Sequence, residues 1–176
     1  MNIFLIGYRC SGKTSVGRVL ATSLARPFVD TDALIVSLNH QSIHRIVDDH
    51  GWPAFRRMEK QVLKDVCAKD GQVVTTGGGI VLDAENVALM KQTGRVVLLT
   101  VVVETIRQRM HDDDTSAGFR PALTGNKNVA QEIRQTLSER MPLYKSAMEF
   151  CVDANTLSVE KIAEDIVSIL QMQSER

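Results

Sequence analysis

The beginning of the chain constrains its fold most strongly, because a short apolar run there leads directly into a glycine-rich turn. The run Asn2–Ile6 is rich in branched residues and is ended by Gly7, which is typical of a buried parallel strand. From Gly7 to Thr14 the sequence follows the pattern Gly-x4-Gly-Lys-Thr, whose backbone N–H groups surround phosphate oxygens. Apolar residues follow at helical spacing, namely Val16, Val19, Leu20 and Leu24. Strand, loop and helix together predict a site for nucleotide phosphates.

The individual positions of this loop have separate predicted tasks. Lys13 is expected to reach the β- and γ-phosphates, and the hydroxyl of Thr14 is expected to hold Mg²⁺. The other residues expected to bind the nucleotide from the loop are Gly7, Cys10, Ser11, Gly12 and Ser15.

The composition is that of an ordinary globular protein. The 176 residues are 44% hydrophobic and 24% charged, which predicts one domain spanning residues 1–176 with a proper core. The formal net charge is zero, without the basic excess of most nucleic-acid-binding proteins. The longest apolar stretch is far too short to cross a membrane, and no secretion signal is visible. Three cysteines without Cys-x-x-Cys spacing argue against a disulfide framework and structural zinc. We therefore expect a cytoplasmic protein without nucleic-acid or membrane partners.

Apolar runs alternate with helical patterns along the chain. Besides the first strand, the predicted strands are Pro27 to Asp30, Gln72 to Thr76, Arg95 to Val103, and Phe150 to Val152. This alternation predicts an α/β protein, with a parallel sheet of about five strands covered by helices on both faces. Residues 111–125 are polar and are interpreted as a mobile loop. Because ligands lie beyond the carboxyl ends of parallel strands, the phosphate loop and the polar segments after the other strands should meet at one edge.

Asp30 and Asp32 follow the second predicted strand. A carboxylate beside a phosphate loop can hold Mg²⁺ directly or through water, and one beside an acceptor hydroxyl can take its proton. The alternative is that one of them only caps a helix beginning near Ala33.

Three further segments are candidates, and two of them have plain alternatives. Arg56 and Glu59 are three residues apart on a predicted helix, so the arginine could be held as a fork for a carboxylate or could form an ordinary surface ion pair. The glycines of segment 77–79 could admit a ligand close to the backbone or form a plain loop. Arg120, in the polar loop, could swing onto a transferring phosphate.

Taken together, these motifs resemble those of shikimate kinases over the range from about Asn2 to Leu170. The resemblance rests on the phosphate loop and five other motifs, which are Phe28-x-Asp30-x-Asp32, Phe55-Arg56-x-x-Glu59, Gly77-Gly78-Gly79, Arg120-Pro121 and Arg140-x-Pro142-Leu143-Tyr144. It implies a three-layer α-β-α fold of the nucleoside monophosphate kinase type, with strand order 2-3-1-4-5. It also implies a substrate-binding region at about 32–60 and a mobile lid at about 111–125.

The resemblance further implies an activity and a set of site residues. The reaction would be transfer of the ATP γ-phosphate to the 3-hydroxyl of shikimate, in aromatic amino-acid biosynthesis, with ATP and Mg²⁺ as cofactors. We expect a monomer. The implied roles are Asp32 as base at the shikimate hydroxyls; Arg56, Arg140 and the backbone of Gly78 and Gly79 around the shikimate carboxylate, with Gly77 as a further substrate-binding residue; Asp30 at Mg²⁺ through water; Glu59 orienting Arg56; Arg109 stacking on adenine; and Arg120 as the lid arginine.

The sequence departs from the family pattern at three places. The family often has glycine where Cys10 stands and in some members proline where Val159 stands, and the run Asp112-Asp113-Asp114 lengthens and acidifies the lid.

Two other functions are alternatives to this interpretation. One alternative is another small-molecule kinase, for gluconate or a nucleotide, although two arginines suit an acidic acceptor better than a neutral one. The other is a non-catalytic nucleotide-binding protein, which would be expected to lack Lys13 or the acidic pair.

Overall fold

The computed structural model describes residues 1–112 and 129–174. In this part of the chain five strands form one sheet, namely β1 Asn2–Ile6, β2 Phe28–Asp30, β3 Val73–Thr75, β4 Gly94–Thr100 and β5 Phe150–Asp153. Their order is β2-β3-β1-β4-β5, and every neighbouring pair is parallel. The predicted fold class and strand order are therefore confirmed.

Helices lie on both faces of the sheet. The α-helices in the described ranges are α1 Lys13–Ser23, α2 Thr31–Asn39, α3 Ile43–Cys67, α4 Ala84–Thr93, α5 Val103–Asp112, α6 Val129–Ala147 and α7 Val159–Ser174, and a short 3-10 helix spans Ile80–Leu82. None of the helices in these ranges is long and apolar enough to cross a membrane.

The central strand β1 divides the core into two clusters, because successive side chains of a strand point to opposite faces. Ile3 and Leu5 pack in one cluster, which includes residues of α1 and α7. Phe4 and Ile6 pack in the other, which includes residues of α3, α4 and α6. All five β1 residues are buried, so the phosphate loop that follows is supported from both faces.

The predicted fourth strand, Arg95 to Val103, was too long at its carboxyl end. β4 ends at Thr100, and Val103 already begins α5. The N–H of Val102 donates to Oδ1 of Asn155 at 2.8 Å instead of to a neighbouring strand. This contact bridges residues far apart in sequence, so the apolar run itself contains no signal for the end of the strand.

The helix α3 is interrupted at Gly51, whose backbone is non-helical with φ 75° and ψ 166°. Another predicted boundary differs from the structure. Of the polar loop predicted for residues 111–125, the first two residues belong to α5 instead. The rest of that predicted lid, with Arg120, lies outside the described residues.

Candidate active site

The phosphate loop connects β1 to α1 and contains three residues with positive φ. Gly7 and Gly12 have φ values of 142° and 94°. A Cβ at Gly7 would lie only 2.6 Å from the carbonyl oxygen of Leu99, so no side chain fits there. Cys10 also has a left-handed backbone, with φ 59°. This explains physically why a glycine suits the position, because left-handed backbone is strained for residues with a Cβ.

Lys13 points its ammonium group into the loop. Its Nζ donates to the carbonyl oxygens of Gly7 at 3.0 Å and Tyr8 at 2.8 Å. The residue is 8% exposed, so its charge is largely shielded from solvent. A charge held there is available to phosphate oxygens bound by the surrounding backbone N–H groups.

Asp30 makes two contacts with its two carboxylate oxygens. Oδ1 accepts the N–H of Ala33 at 3.1 Å, so Asp30 does cap α2. Oδ2 accepts the hydroxyl of Thr14 at 3.0 Å, which places the same carboxylate beside the phosphate loop. Within the described ranges, no three His, Cys, Asp or Glu residues form a metal-binding group. One hydroxyl and one carboxylate suit Mg²⁺, which takes most of its oxygen ligands from phosphates and water.

A second pocket adjoins the loop and carries the predicted acceptor residues. Arg56 donates to Oε2 of Glu59 at 2.6 Å, and the Glu59 side chain is 1% exposed. The pair is therefore not a surface ion pair. Burial raises the pKa of Glu59 to about 7; Arg56 lowers this pKa and the nearby Asp32 raises it. The Arg56 guanidinium also lies 5.2 Å from the ring centroid of Trp52.

The three consecutive glycines form part of the wall of this pocket, and a side chain at Gly77 or Gly79 would collide with its charged groups. A Cβ at Gly77 would lie 2.7 Å from Oδ1 of Asp32 and 2.8 Å from Oε1 of Glu59. A Cβ at Gly79 would lie 2.2 Å from Nη2 of Arg56. Any side chain here would displace the charged groups, which argues against a plain loop.

Arg140 and Tyr144, both on α6, converge on Gly78. Nη1 of Arg140 donates to the Gly78 carbonyl oxygen at 3.1 Å, and the Tyr144 hydroxyl donates to the same atom. Burial raises the pKa of Tyr144 to about 12, so this hydroxyl remains a donor near neutral pH. These contacts fix the Arg140 side chain against the pocket wall.

Arg109 lies beside the phosphate loop and contacts two segments that are distant in sequence. It donates to the carbonyl oxygen of Cys10 at 3.2 Å and to that of Ala154 at 2.6 Å. Its guanidinium therefore spans the distance between the phosphate loop and the segment after β5.

The two pockets meet at Asp32 and Gly78, which line both. The acceptor pocket is lined by Arg9, Asp32, Ile43, Trp52, Phe55, Arg56, Glu59, Gly77, Gly78, Gly79 and Arg140. The nucleotide pocket is lined by Cys10, Gly12, Lys13, Thr14, Ser15, Asp30, Asp32, Thr76, Gly78 and Arg109. Gly7 and Ser11 line neither pocket but contact Lys13.

Sequence reasoning missed Arg9, Ile43 and Trp52 as pocket residues. Arg9 occupies a position that the phosphate-loop pattern leaves unspecified. Ile43 and Trp52 read as ordinary apolar residues of a helix, and no local signal marks them.

Comparison with known proteins agrees with this geometry. A family model described as shikimate kinase matches residues 9–171. A shikimate kinase of Nitratidesulfovibrio vulgaris is 44% identical over 168 residues, which are 96% of this chain and 94% of that protein. One from Syntrophus aciditrophicus is 38% identical and covers 98% of this chain and 92% of its own length. The structure of shikimate kinase from Acinetobacter baumannii in complex with shikimate has a TM-score of 0.92 at 33% identity, covering 99% of this chain and 95% of that one.

These matches extend over nearly the whole chain. The chain belongs to the shikimate kinase family, a family of ATP-dependent phosphotransferases.

Proposed function

We propose that the two adjoining pockets transfer the γ-phosphate of ATP to the 3-hydroxyl of shikimate, giving shikimate 3-phosphate for chorismate and aromatic amino-acid biosynthesis. The observation that carries the proposal is that Asp32 and Gly78 line both pockets. A phosphoryl group bound by the loop and a hydroxyl bound in the acceptor pocket would therefore meet at Asp32.

On the nucleotide side, the loop from Gly7 to Ser15 would bind the phosphates through backbone N–H groups. Lys13 would exchange its contacts with loop carbonyls for phosphate oxygens and follow the negative charge during transfer. Arg109 would stack on the adenine. Thr14 and Asp30 would hold Mg²⁺, which neutralises phosphate charge when bound.

On the acceptor side, Arg56 and Arg140 would bind the shikimate carboxylate, since a guanidinium offers paired donors that match its two oxygens. Glu59 would orient Arg56, and Gly77, Gly78 and Gly79 would allow the ring to approach the backbone.

Asp32 would accept the proton of the 3-hydroxyl while the new oxygen–phosphorus bond forms and the bond to ADP breaks. Arg120, outside the described residues, is proposed to meet the transferring phosphate from the lid at about 111–125. We also propose a cytoplasmic monomer, a single domain over residues 1–176 with a substrate-binding region at about 32–60, and no nucleic-acid or membrane partner.

A coupled ADP-release assay with shikimate, gluconate and nucleoside monophosphates tests the proposal. We expect ADP release that depends on shikimate and Mg²⁺, with gluconate and the nucleotides as poor acceptors. Preference for gluconate or a nucleotide would contradict the assigned acceptor. Nucleotide binding without ADP release for any acceptor would instead support a non-catalytic protein.

A further inference from the structure

Arg9 belongs to the phosphate loop, yet it lines the acceptor pocket, whereas the next residue, Cys10, lines the nucleotide pocket. A Cβ at Gly78, which lines both pockets, would lie 3.3 Å from the backbone nitrogen of Arg9. Arg9 therefore borders the acceptor pocket on the side on which the phosphates would bind.

The Arg9 side chain is fixed in place by a buried carboxylate. Nη2 of Arg9 donates to Oε1 of Glu132, near the beginning of α6, and the two side chains are 12% and 5% exposed. The Arg9 guanidinium also lies 5.7 Å from the Tyr8 ring centroid. A buried ion pair adds little net stability, since desolvation offsets the attraction. Its main consequence here is a fixed direction for the guanidinium.

Arg9 is thus a third basic residue that lines the acceptor pocket and that the proposed carboxylate contacts do not use. Arg56 is held by Glu59, and Arg140 is held by the Gly78 carbonyl. Arg9 starts from the loop that would carry the γ-phosphate, so it approaches the part of the acceptor that bears the reacting hydroxyl. A guanidinium carries several N–H donors and no acceptor, so hydroxyl oxygens are suitable partners.

We infer that Arg9 is an acceptor-binding residue whose guanidinium donates to hydroxyl oxygens of the acceptor, and that Glu132 is the positioning residue that aims it. This inference rests on the proposed function and deepens it, because it assigns recognition of the hydroxyl face to a residue of the phosphate loop. A purely structural link between the loop and α6 is the competing explanation.

The test measures shikimate binding in the absence of nucleotide. Trp52 is the only tryptophan of the chain and lines the acceptor pocket, so its fluorescence can report the dissociation constant. Arg9→Met should raise this constant about ten- to hundredfold through loss of a charge-assisted hydrogen bond, and leave the KM for ATP nearly unchanged. Arg9→Lys should restore part of the affinity, since it keeps the charge but not the planar fork.

Glu132→Gln tests whether Glu132 acts by positioning Arg9 and does not itself bind the acceptor. It should weaken shikimate binding in the parent and have no further effect once Arg9 is methionine, because the residue acts through Arg9. Arg95→Met is the matched control, because Arg95 also forms an ion pair, with Glu149. Arg95 lies at the beginning of β4, at the end of the sheet opposite to the two pockets. This control should leave the dissociation constant as in the parent.

Shikimate affinity within twofold of the parent in Arg9→Met would overturn the inference and support the structural link. If Arg9→Met does not fold, unchanged affinity in both Arg9→Lys and Glu132→Gln would overturn it equally. Neither outcome affects the proposed function, which fails separately if the parent enzyme does not phosphorylate shikimate.

Discussion

Replacing Glu59 by glutamine should remove a pH dependence of stability that originates in the acceptor pocket. The Glu59 side chain is 1% exposed, and its Oε1 has no hydrogen-bond partner among the described residues. Desolvation is the largest cause of the raised pKa of about 7, and Asp32 adds to it, while Arg56 and Arg140 act in the opposite direction. The folded protein therefore binds a proton here more tightly than the unfolded chain does.

The sign and the magnitude of this change in the free energy of unfolding follow from the difference in proton binding between the folded and unfolded states. A raised carboxyl pKa contributes stability that is fully present below the unfolded value of 4.5 and is lost as the pH rises through about 7. Between pH 5 and pH 8, this difference in pKa corresponds to a loss of about 2 to 3 kcal/mol in the free energy of unfolding. Glutamine keeps a carbonyl oxygen for Arg56 but has no proton to titrate.

Urea denaturation of the parent and of Glu59→Gln at pH 5, 6, 7 and 8 measures the effect. Subtracting the parent's free energy of unfolding from that of the variant cancels the contribution of the other titrating groups. From pH 5 to pH 8, the Glu59→Gln variant should therefore gain about 2 to 3 kcal/mol of stability relative to the parent. Glu139→Gln, at an exposed position on α6, is the control for losing one carboxylate and should follow the parent.

A constant difference between parent and Glu59→Gln would refute the reasoning, since Glu59 would then have the same charge in the folded and unfolded states. If the parent instead becomes more stable relative to the Glu59→Gln variant as the pH rises, pairing with Arg56 outweighs burial in setting the pKa of Glu59.

Four further predictions concern single residues of the site. Lys13→Ala should lower turnover about a thousandfold without unfolding the protein, because it removes the charge beside the transferring phosphate, and near-parent turnover in the ADP-release assay would contradict that role. Asp32→Asn should lose most turnover while still binding ATP, whereas Asp30→Asn should raise the Mg²⁺ concentration needed for half-maximal rate; parent-like Mg²⁺ dependence in both would show that the two roles are wrongly assigned. Cys10→Gly should keep activity within about tenfold and unfolding free energy within about 1 kcal/mol, since relief of left-handed strain is offset by unfolded-state entropy, and a larger loss in either measurement would indicate a role for the thiol. Arg140→Ala should raise the shikimate KM and cost about 2–5 kcal/mol in kcat/KM, and it should discriminate much less than the parent against an amide analogue of shikimate; an equal penalty on both compounds would show that Arg140 does not read the carboxylate.

Local patterns were sufficient to predict the sheet, the phosphate loop and the position of Asp30. The strand, the glycines and the following helix are contiguous in sequence, so short-range rules apply to them directly. The strand order came from the resemblance, since alternation of elements alone leaves the arrangement of the strands open.

Contacts between distant segments could not be predicted in the same way. The pairing of Arg9 with Glu132 joins residues 123 positions apart, and neither residue carries a local signal for the other. The spacing of Arg56 and Glu59 predicts that they can pair, but the same spacing occurs on exposed helices. Only the packing of α3 against the sheet decides that Glu59 is buried.

The central position of β1 means that the two pockets should differ in how readily they open. β1 is hydrogen-bonded on both sides, to β3 and β4, and is fully buried. The acceptor pocket depends instead on α2 and α3, which follow the half-buried edge strand β2, and α3 is interrupted at Gly51. Local opening requires little energy where few buried contacts are lost. We therefore expect amide hydrogens of α2 to exchange well before those of β1, and destabilised variants to lose acceptor affinity before nucleotide affinity.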